Sequence, residues 1–184
     1  MARIVIVGDG PGGLSAALFL GRAEHVVTVF GQDKTAVNFA QLNNYLGIVQ
    51  VEGPHFQAIA RQQATAAGAT LRSELVIAVS AVGRVSATTE GGETVEADYL
   101  ILSEGKNPVL ARSLDLRENE AGGIDVDRDY KSSHDRVYVI GRSARPTRSQ
   151  VVISAGAGAT AASDILAREA GKDVQDWDSL PKTD

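Results

Sequence analysis

The chain has 184 residues, of which 43% are apolar and 22% are charged, values that are ordinary for about one globular domain. Its formal net charge of −5 argues against nucleic acid or an anionic membrane surface as the main partner. The absence of cysteine excludes disulfides, thiolate metal sites and a cysteine redox pair within these residues.

The first 31 residues predict a strand, a glycine-rich turn, a helix and a second strand. Residues 3–7 are a short run of mostly β-branched side chains, and Gly8-Asp9-Gly10-Pro11-Gly12-Gly13 follows directly. Residues 14–22 have a helical pattern, and residues 26–30 have the composition of a strand. This order is the context in which G-x-G-x-x-G predicts a dinucleotide-binding site.

Each glycine of this turn has a predicted mechanical role. Gly8 lets the chain leave the strand sharply, Gly10 leaves room for a pyrophosphate against the backbone, and Gly13 lets the helix pack close to the sheet. The helix N-terminus would offer free N–H groups and a partial positive charge to the phosphates. The alternative interpretation is a purely structural turn.

The remaining residues predict further strands and two further helices. The first of these helices covers residues 56–67, ends at Gly68 and is predicted to bury one face, formed by Phe56, Ile59, Ala60 and Ala64. The Gly91-Gly92 pair predicts a tight β-hairpin. The other elements are hairpin strands at 84–89 and 93–97, strands at 70–71, 75–79, 98–102, 124–127 and 137–141, and a helix at 151–170.

Residues 154–161 form a second glycine-rich pattern, Ser-Ala-Gly-Ala-Gly-Ala-Thr-Ala. Too few residues follow it for the additional βαβ unit of ~30 residues that a second nucleotide site would need. We therefore predict a closely packed helix here, within a single α/β domain over residues 1–172. Residues 173–184, which include Trp177, are predicted to form a polar tail.

Several motifs resemble those of thioredoxin-reductase-like flavoproteins of the pyridine nucleotide-disulfide oxidoreductase family. The glycine turn and the residues after it, 8–17, resemble the family's G-x-G-P-A-G-L-S-A-A fingerprint for FAD. Asn44-Tyr45-Leu46-Gly47 is similar to a turn beside the flavin, and residues 68–76 to a strand whose later valine lies at the adenine. Residues 137–141, 150–152 and 155–159 resemble the family's closing segment. The resemblance covers nearly the whole chain in the right order.

This resemblance implies a Rossmann-type FAD-binding domain, with a parallel sheet, a helix layer and an antiparallel three-stranded element. It also implies a flavin-binding domain alone, because the nicotinamide domain and the C-x-x-C pair that the family inserts before its closing segment are absent. The cofactor-binding residues that we carry over are Gly8, Asp9, Gly10, Pro11, Gly12, Gly13, Phe30, Gly31, Asp33, Lys34, Asn44, Val76, Ser103, Gly105, Gly141, Arg142, Gln150 and Val151.

The chain departs from the family at two of these positions. The acid that holds the adenosine ribose hydroxyls should end the second strand, but Phe30 and Gly31 stand there. The Gly31 turn, Asp33 or Lys34 would have to serve instead. The family's aspartate for the ribityl chain is Arg142 here, and a guanidinium has no acceptor for a ribityl hydroxyl.

Other side chains have both a functional and an ordinary interpretation. Three arginines recur at a spacing of three, at positions Arg142, Arg145 and Arg148. They would form either a clamp for an anion or a solvated basic loop. Asn44 is either a flavin contact near O4 and N5 or a turn residue, and Tyr45 is either a flavin-side aromatic or a core residue.

The predicted helix start at Gln150 and Val151 would face flavin O2 or simply begin the helix. His25, His55 and His134 lack metal-ligand spacing, so no metal site is predicted. No catalytic side chain is predicted either, since the chemistry would belong to the flavin.

We therefore expect a small FAD-dependent oxidoreductase that passes electrons from a separate donor, NAD(P)H or an electron-carrier protein, to an unknown acceptor. The rival hypotheses are a non-catalytic module that binds or senses FAD or another adenine nucleotide, and an NAD(P)-binding Rossmann protein. A homodimer is expected, with no nucleic acid and no membrane as partner. We expect a cytoplasmic protein, because no apolar run approaches the ~20 residues of a membrane helix and no apolar leader precedes the first strand.

Overall fold

The computed structural model describes residues 1–174, and ten strands and four helices form the regular part of the fold. The strands are β1 (Arg3–Val7), β2 (Val26–Phe30), β3 (Gln41–Leu42), β4 (Val51–Glu52), β5 (Thr70–Arg72), β6 (Val76–Ser80), β7 (Val85–Thr89), β8 (Thr94–Ala97), β9 (Tyr99–Leu102) and β10 (Val137–Val139). The helices are α1 (Pro11–Arg22), α2 (Gly53–Ala66), α3 (Val109–Arg112) and α4 (Val151–Ala170). Single 3₁₀ turns cover Ala36–Phe39 and Gly141–Ser143.

A five-stranded parallel sheet forms the centre of the core. β1 pairs with β2 on one side and β9 on the other, so that Ile6 lies between Val29 and Ile101. All three of these side chains are fully buried. A run of β-branched residues without polar alternation is typical of a parallel strand covered on both faces. This explains why the first strand was predictable from its composition.

The order of the sheet, β10-β9-β1-β2-β5, reverses the direction of chain progression between β1 and β9. From β1 the chain moves outward to β2 and β5, and it later returns to form β9 and β10 on the other side. In open parallel sheets the ligand crevice lies outside the carboxyl ends of the strands at such a reversal. The segments that follow β1, β2, β9 and β10 are therefore brought to one edge.

A separate antiparallel sheet, in the order β6-β7-β8, contains the predicted hairpin. Its turn is closed by the Gly92 N–H, which donates to the Thr89 carbonyl oxygen at 2.9 Å, and Gly92 has φ +84°. β7 and β8 contact β9 and β1 of the parallel sheet. The predicted Rossmann-type sheet with an antiparallel three-stranded element is thus confirmed.

The second glycine-rich pattern, residues 154–161, lies inside α4, as predicted. α1 packs against both α2 and α4. A Cβ built on Gly158 would overlap the Gly12 carbonyl oxygen and lie 3.0 Å from the Ala16 nitrogen. The small residues of α4 therefore permit a helix crossing closer than any side chain would allow.

The predicted strand at residues 124–127 is wrong. Only Ile124 forms a β-bridge, with Glu118. The Asn119 side chain organises the segment instead: its Oδ1 accepts the Ala121 and Gly123 N–H groups, and its Nδ2 donates to the Ile124 carbonyl oxygen at 3.1 Å. The N–H groups of residues 124, 125 and 127 donate to backbone carbonyl oxygens of three different segments. Irregular loop contacts thus take the place of a strand ladder.

The predicted buried face of α2 is also wrong in part. Ile59 is 43% exposed, whereas Gln57 is only 1% exposed. The Gln57 Nε2 donates to the backbone carbonyl oxygen of Asp9 at 2.6 Å. This hydrogen bond offsets the cost of removing the amide nitrogen from water. The helix therefore buries a polar residue for a contact with the glycine turn that its own periodicity does not reveal.

Within the described part of the chain, no helix has both the length and the apolar character required to cross a bilayer. Residues 175–184, including Trp177, lie outside the described residues. The division into a domain over residues 1–172 and a polar tail stays a prediction.

Candidate functional site

A cavity of about 660 Å³ lies at the carboxyl edge of the parallel sheet. The segments that follow β1, β2, β9 and β10 all contribute to its wall, as does the N-terminus of α4. The fold thus gathers segments that are far apart in sequence around one crevice, at the place that the strand order favours.

The glycine turn forms one wall of the cavity from backbone atoms. Gly8 has φ +106°, and its N–H donates to the Phe30 carbonyl oxygen at 2.8 Å. A Cβ on Gly8 would overlap the Ser103 carbonyl oxygen, and a Cβ on Gly12 would lie 3.1 Å from the Ser154 carbonyl oxygen. These glycines therefore let two neighbouring segments close in on the turn.

Two helices begin at the cavity without a side-chain cap. α1, with 12 residues, starts after Gly10, and α4, with 20 residues, starts after Gln150. Neither has an acidic residue in its first turn. The first N–H groups of each helix have no intrahelical partner, and the helix dipole places a partial positive charge there. The cavity thus offers two adjacent sites that favour negative charge.

Most of the predicted cofactor-binding residues line this cavity. They are Gly8, Asp9, Gly10, Pro11, Gly12, Phe30, Gly31, Lys34, Val76, Ser103, Gly105, Gly141, Arg142, Gln150 and Val151. The structure brings them together from across the chain, although their roles in binding stay predictions.

Three predicted residues lie elsewhere. Gly13 is buried below the turn, where a Cβ would overlap the Gly8 carbonyl oxygen, so its role is close packing of α1. Asp33 is exposed and has φ +58°, and its carboxylate Oδ1 accepts a hydrogen bond from Asn38 at 3.2 Å. Asn44 lines a second cavity beside the first.

The second cavity has a volume of about 240 Å³ and shares a wall with the first. Asn44 contributes to it, and the Asn44 Nδ2 donates to the Gln150 Oε1 at 2.8 Å. Tyr45 packs its ring against Phe56, with centroids 5.7 Å apart. The loop before α2 is thereby tied to the start of α4.

The three arginines at a spacing of three have different surroundings. Arg142 lines both cavities, and within residues 1–174 its buried Nε has no hydrogen-bond partner. The Arg145 guanidinium lies 5.3 Å from the centre of the Tyr130 ring, and Arg148 is exposed. Arg142 is therefore the member of this group whose guanidinium borders the candidate site.

Arg61 of α2 is a residue that the sequence interpretation missed, and its partner is the predicted residue Asp9. The Asp9 carboxylate is buried at the end of β2 and forms an ion pair with Arg61, and its Oδ2 also accepts the Asp33 N–H at 3.0 Å. A Cβ on Gly31 would overlap this carboxylate. The signal that could have found Arg61 is its spacing of four from Gln57, which places both on one face of α2.

Glu104, which follows β9, is a second missed residue of the cavity wall. Its carboxylate accepts the Leu110 N–H at 2.7 Å and the Ala111 N–H at 2.9 Å, at the start of α3. Burial raises the pKa of the Glu104 carboxyl, and these two N–H groups oppose that rise only in part. The charged form of Glu104 is thus disfavoured in the folded state.

Replacing Glu104 with glutamine should stabilise the protein more at pH 8 than at pH 4. Because the pKa of Glu104 is raised in the folded state, its carboxyl stabilises the wild type at low pH, and this contribution is lost as the pH rises through that pKa. Glutamine does not titrate, so the variant has no such loss. Urea unfolding of both proteins at several pH values measures this difference. The control is Glu74→Gln, for which the opposite trend is expected, because hydrogen bonds from Arg72 lower the pKa of Glu74. A difference for Glu104→Gln that falls with pH would contradict the prediction.

Two of the three histidines accept hydrogen bonds from backbone N–H groups. The His25 Nδ1 accepts the Ala2 N–H at 3.0 Å, and the His134 Nδ1 accepts the Arg136 N–H at 3.3 Å. Residues 1–174 contain no group of three or more histidines and acids placed to hold a metal ion.

Residues 45–158 match the family model described as pyridine nucleotide-disulphide oxidoreductase. The chain is 34% identical over 118 residues to a thioredoxin reductase of Spironucleus barkhanus and 33% identical over 122 residues to one of Mycolicibacterium smegmatis. These alignments cover 61% and 64% of this chain but only 38% of each relative. The chain thus matches less than half of the length of these curated relatives.

Solved structures show the same fold at low sequence identity. A thioredoxin reductase from Gloeobacter violaceus aligns with a TM-score of 0.87 and 17% identity, over 97% of this chain and 99% of that one. The atypical thioredoxin reductase TRi from Desulfovibrio vulgaris Hildenborough aligns with a TM-score of 0.82 and 17% identity, over 91% and 97%. At these identities the likeness concerns the fold.

Proposed function

We propose that this chain, which belongs to the pyridine nucleotide-disulphide oxidoreductase family, binds FAD in the large cavity and transfers electrons through it. The observation that carries the proposal is the cavity at the point where the strand order reverses. The glycine turn forms one of its walls, and two helices without a side-chain cap begin at it. This combination suits a long ligand that carries a pyrophosphate and a second group able to accept hydrogen bonds.

The residues present fit this cofactor. Backbone N–H groups at the start of α1 would hold the pyrophosphate, and Lys34, Lys106 and Arg142 add positive charge to the wall. The apolar side chains of Leu75, Val76 and Ile77 offer a surface for an adenine ring. Bound FAD would supply hydride and single-electron chemistry, while the protein supplies position and electrostatics.

The start of α4 supports a site for the redox ring. The first N–H groups of α4 lie at the N-terminus of a helix of 20 residues. The buried Arg142 Nε has no hydrogen-bond partner within residues 1–174. Donors in this position would stabilise negative charge that develops on a reduced ring. Asn44 holds Gln150, the N-cap residue of α4, by a hydrogen bond of 2.8 Å.

A dithiol within these 184 residues is not the electron acceptor, because they contain no cysteine. As donors we propose NAD(P)H or an electron-carrier protein. A homodimer also stays a proposal.

The purified protein is therefore expected to be yellow, or to become yellow when FAD is added, and to release FAD identified by mass. Stopped-flow mixing with NADH, NADPH or a low-potential donor protein should then bleach the flavin absorbance. A protein that neither contains nor takes up FAD would contradict the binding proposal.

A second candidate function is a non-catalytic module that holds FAD or another adenine nucleotide. Arg142, in the place of an acid that would accept a ribityl hydroxyl, favours it. Protein that binds FAD tightly but is bleached by dithionite alone, and by none of the biological donors, would support this alternative over electron transfer.

A further inference from the structure

The end of β2 lacks the side chain that dinucleotide-binding folds usually place there. In these folds an acid about 20 residues beyond the glycine turn accepts hydrogen bonds from the adenosine ribose. Here β2 ends at Phe30, and Gly31 follows with no side chain. Asp33, the next acid along the chain, is exposed and does not line the cavity.

A carboxylate nevertheless occupies this place, and it belongs to the glycine turn. A Cβ built on Gly31 would overlap the Cβ, Cγ and Oδ1 atoms of Asp9. The Asp9 side chain thus fills the space into which a side chain at position 31 would extend. Asp9 and Gly31 both line the cavity, so this carboxylate lies beside the part of the wall where that acid would act.

Asp9 is held in place by two residues of α2. The Gln57 side chain donates to the backbone carbonyl oxygen of Asp9 at 2.6 Å. Arg61, one helical turn later, forms an ion pair with the Asp9 side-chain Oδ2. The Asp33 N–H donates to the same Oδ2 at 3.0 Å. Within residues 1–174 no hydrogen bond uses the other oxygen, Oδ1, so one acceptor of this fixed carboxylate is left for a ligand.

The ion pair also makes the charge of Asp9 compatible with a phosphate-binding turn. Asp9 is 4% exposed, and an unpaired buried carboxylate next to a pyrophosphate would be unfavourable. The side chain of Arg61 is 28% exposed, so its guanidinium neutralises the carboxylate while staying partly hydrated.

We propose that Asp9 is the acceptor for the ribose hydroxyls of the adenosine half of the ligand, taking over from the missing acid at the end of β2. Gln57 and Arg61 are its positioning residues. This inference rests on the proposed function, since it assumes an adenine dinucleotide in the large cavity. It makes Asp9 a determinant of specificity for FAD and ADP over FMN, which lacks the adenosine.

The experiment is calorimetric titration of the full chain with FAD, ADP and FMN. Asp9→Asn keeps the shape of the side chain and should weaken FAD and ADP binding about 10- to 100-fold, the range for hydrogen bonds to a charged group. FMN binding should change less than about threefold. Asp115→Asn is the matched control, because Asp115 is exposed and lines neither cavity, and it should leave all three affinities within about threefold of wild type.

A relocation variant tests the position itself. The double variant Asp9→Gly/Gly31→Glu removes the Asp9 Cβ that a Cβ at position 31 would overlap, and it returns an acid to the end of β2. It should recover most of the lost affinity for ADP, whereas Asp9→Gly/Gly31→Gln should not. This pair decides the question even where Asp9→Asn fails to fold. Thermal unfolding without ligand shows which variants are folded.

Each outcome bears on a different claim. Wild type that binds ADP but not FAD, with ADP weakened by Asp9→Asn, would support the role of Asp9 and contradict the flavin proposal. If the wild type binds FAD and Asp9→Asn either binds it with the same affinity or loses affinity for FMN as much as for FAD, the role of Asp9 is overturned. The flavin proposal would still stand.

Discussion

Replacing Gly158 with alanine is expected to destabilise the domain by about 3 kcal/mol, the upper end of the usual cost of overpacking a core. The added Cβ would overlap the Gly12 carbonyl oxygen and lie 3.0 Å from the Ala16 nitrogen. Both neighbours are backbone atoms of the glycine turn and α1, so neither can move away by a change of rotamer. The variant should also take up less FAD, because Gly12 belongs to the cavity wall.

Gly156 provides the matched control within the same helix. It is exposed, and a Cβ built there meets nothing within 4 Å. Gly156→Ala should therefore stabilise the protein by about 0.5–1 kcal/mol through the higher helix propensity of alanine. Urea unfolding of the two variants measures both effects. Equal stability of Gly158→Ala and wild type would contradict the close crossing of α1 and α4.

Replacing Gly10 with valine is expected to weaken FAD binding about 10- to 100-fold while the protein still folds, since the cost of extra methyl groups in a packed site is about 1–3 kcal/mol. Gly10 has φ −72° and ψ 179°, a conformation open to valine. The nearest atom to a Cβ there is the Thr35 Oγ1 at 3.1 Å, and this side chain can rotate. The bulk would instead hinder the approach of a pyrophosphate to the backbone.

Fluorescence titration with FAD and thermal unfolding without ligand separate these two effects for Gly10→Val. Thr35→Ser serves as the control, because it changes the neighbour and leaves the backbone of the turn open. Wild-type affinity in Gly10→Val would mean that the ligand does not contact the turn at this residue. A large loss of unfolding temperature would mean that Gly10 is needed for folding rather than for binding.

The parts of the fold that the sequence predicted are those with a strong local signal. The β-branched run of β1 and the small residues of α4 each follow from packing rules that act within one element. Residues 124–127 have a strand-like composition, yet their N–H groups donate to the backbone carbonyl oxygens of Ser143, Arg117 and Lys131, which lie in three different segments of the chain. Such irregular contacts depend on the tertiary structure and leave no periodic pattern in the sequence.

The candidate site was predictable where its residues lie just beyond the end of a strand of the parallel sheet. Gly8, Gly31, Ser103 and Gly141 all meet there because the carboxyl ends of parallel strands share one edge. Arg61 and Gln57 were not predictable, because their partner, Asp9, lies 52 and 48 residues away in sequence. Glu104 was missed although it stands between two predicted residues, since its partners belong to α3, a short helix without a clear pattern.

The assembly of the cavity wall from distant segments has a consequence for how the protein matures. Asn44 and Gln150, which bond to each other beside the cavity, are 106 residues apart in sequence. Contacts of such long range form late, because closing long loops costs chain entropy before any contact is made. A partly synthesised chain that lacks α4 would therefore have no complete site, and under the proposed function the capture of FAD would be one of the last events of folding. FAD bound only by the finished fold would then protect the protein from proteolysis, by favouring the native state through mass action.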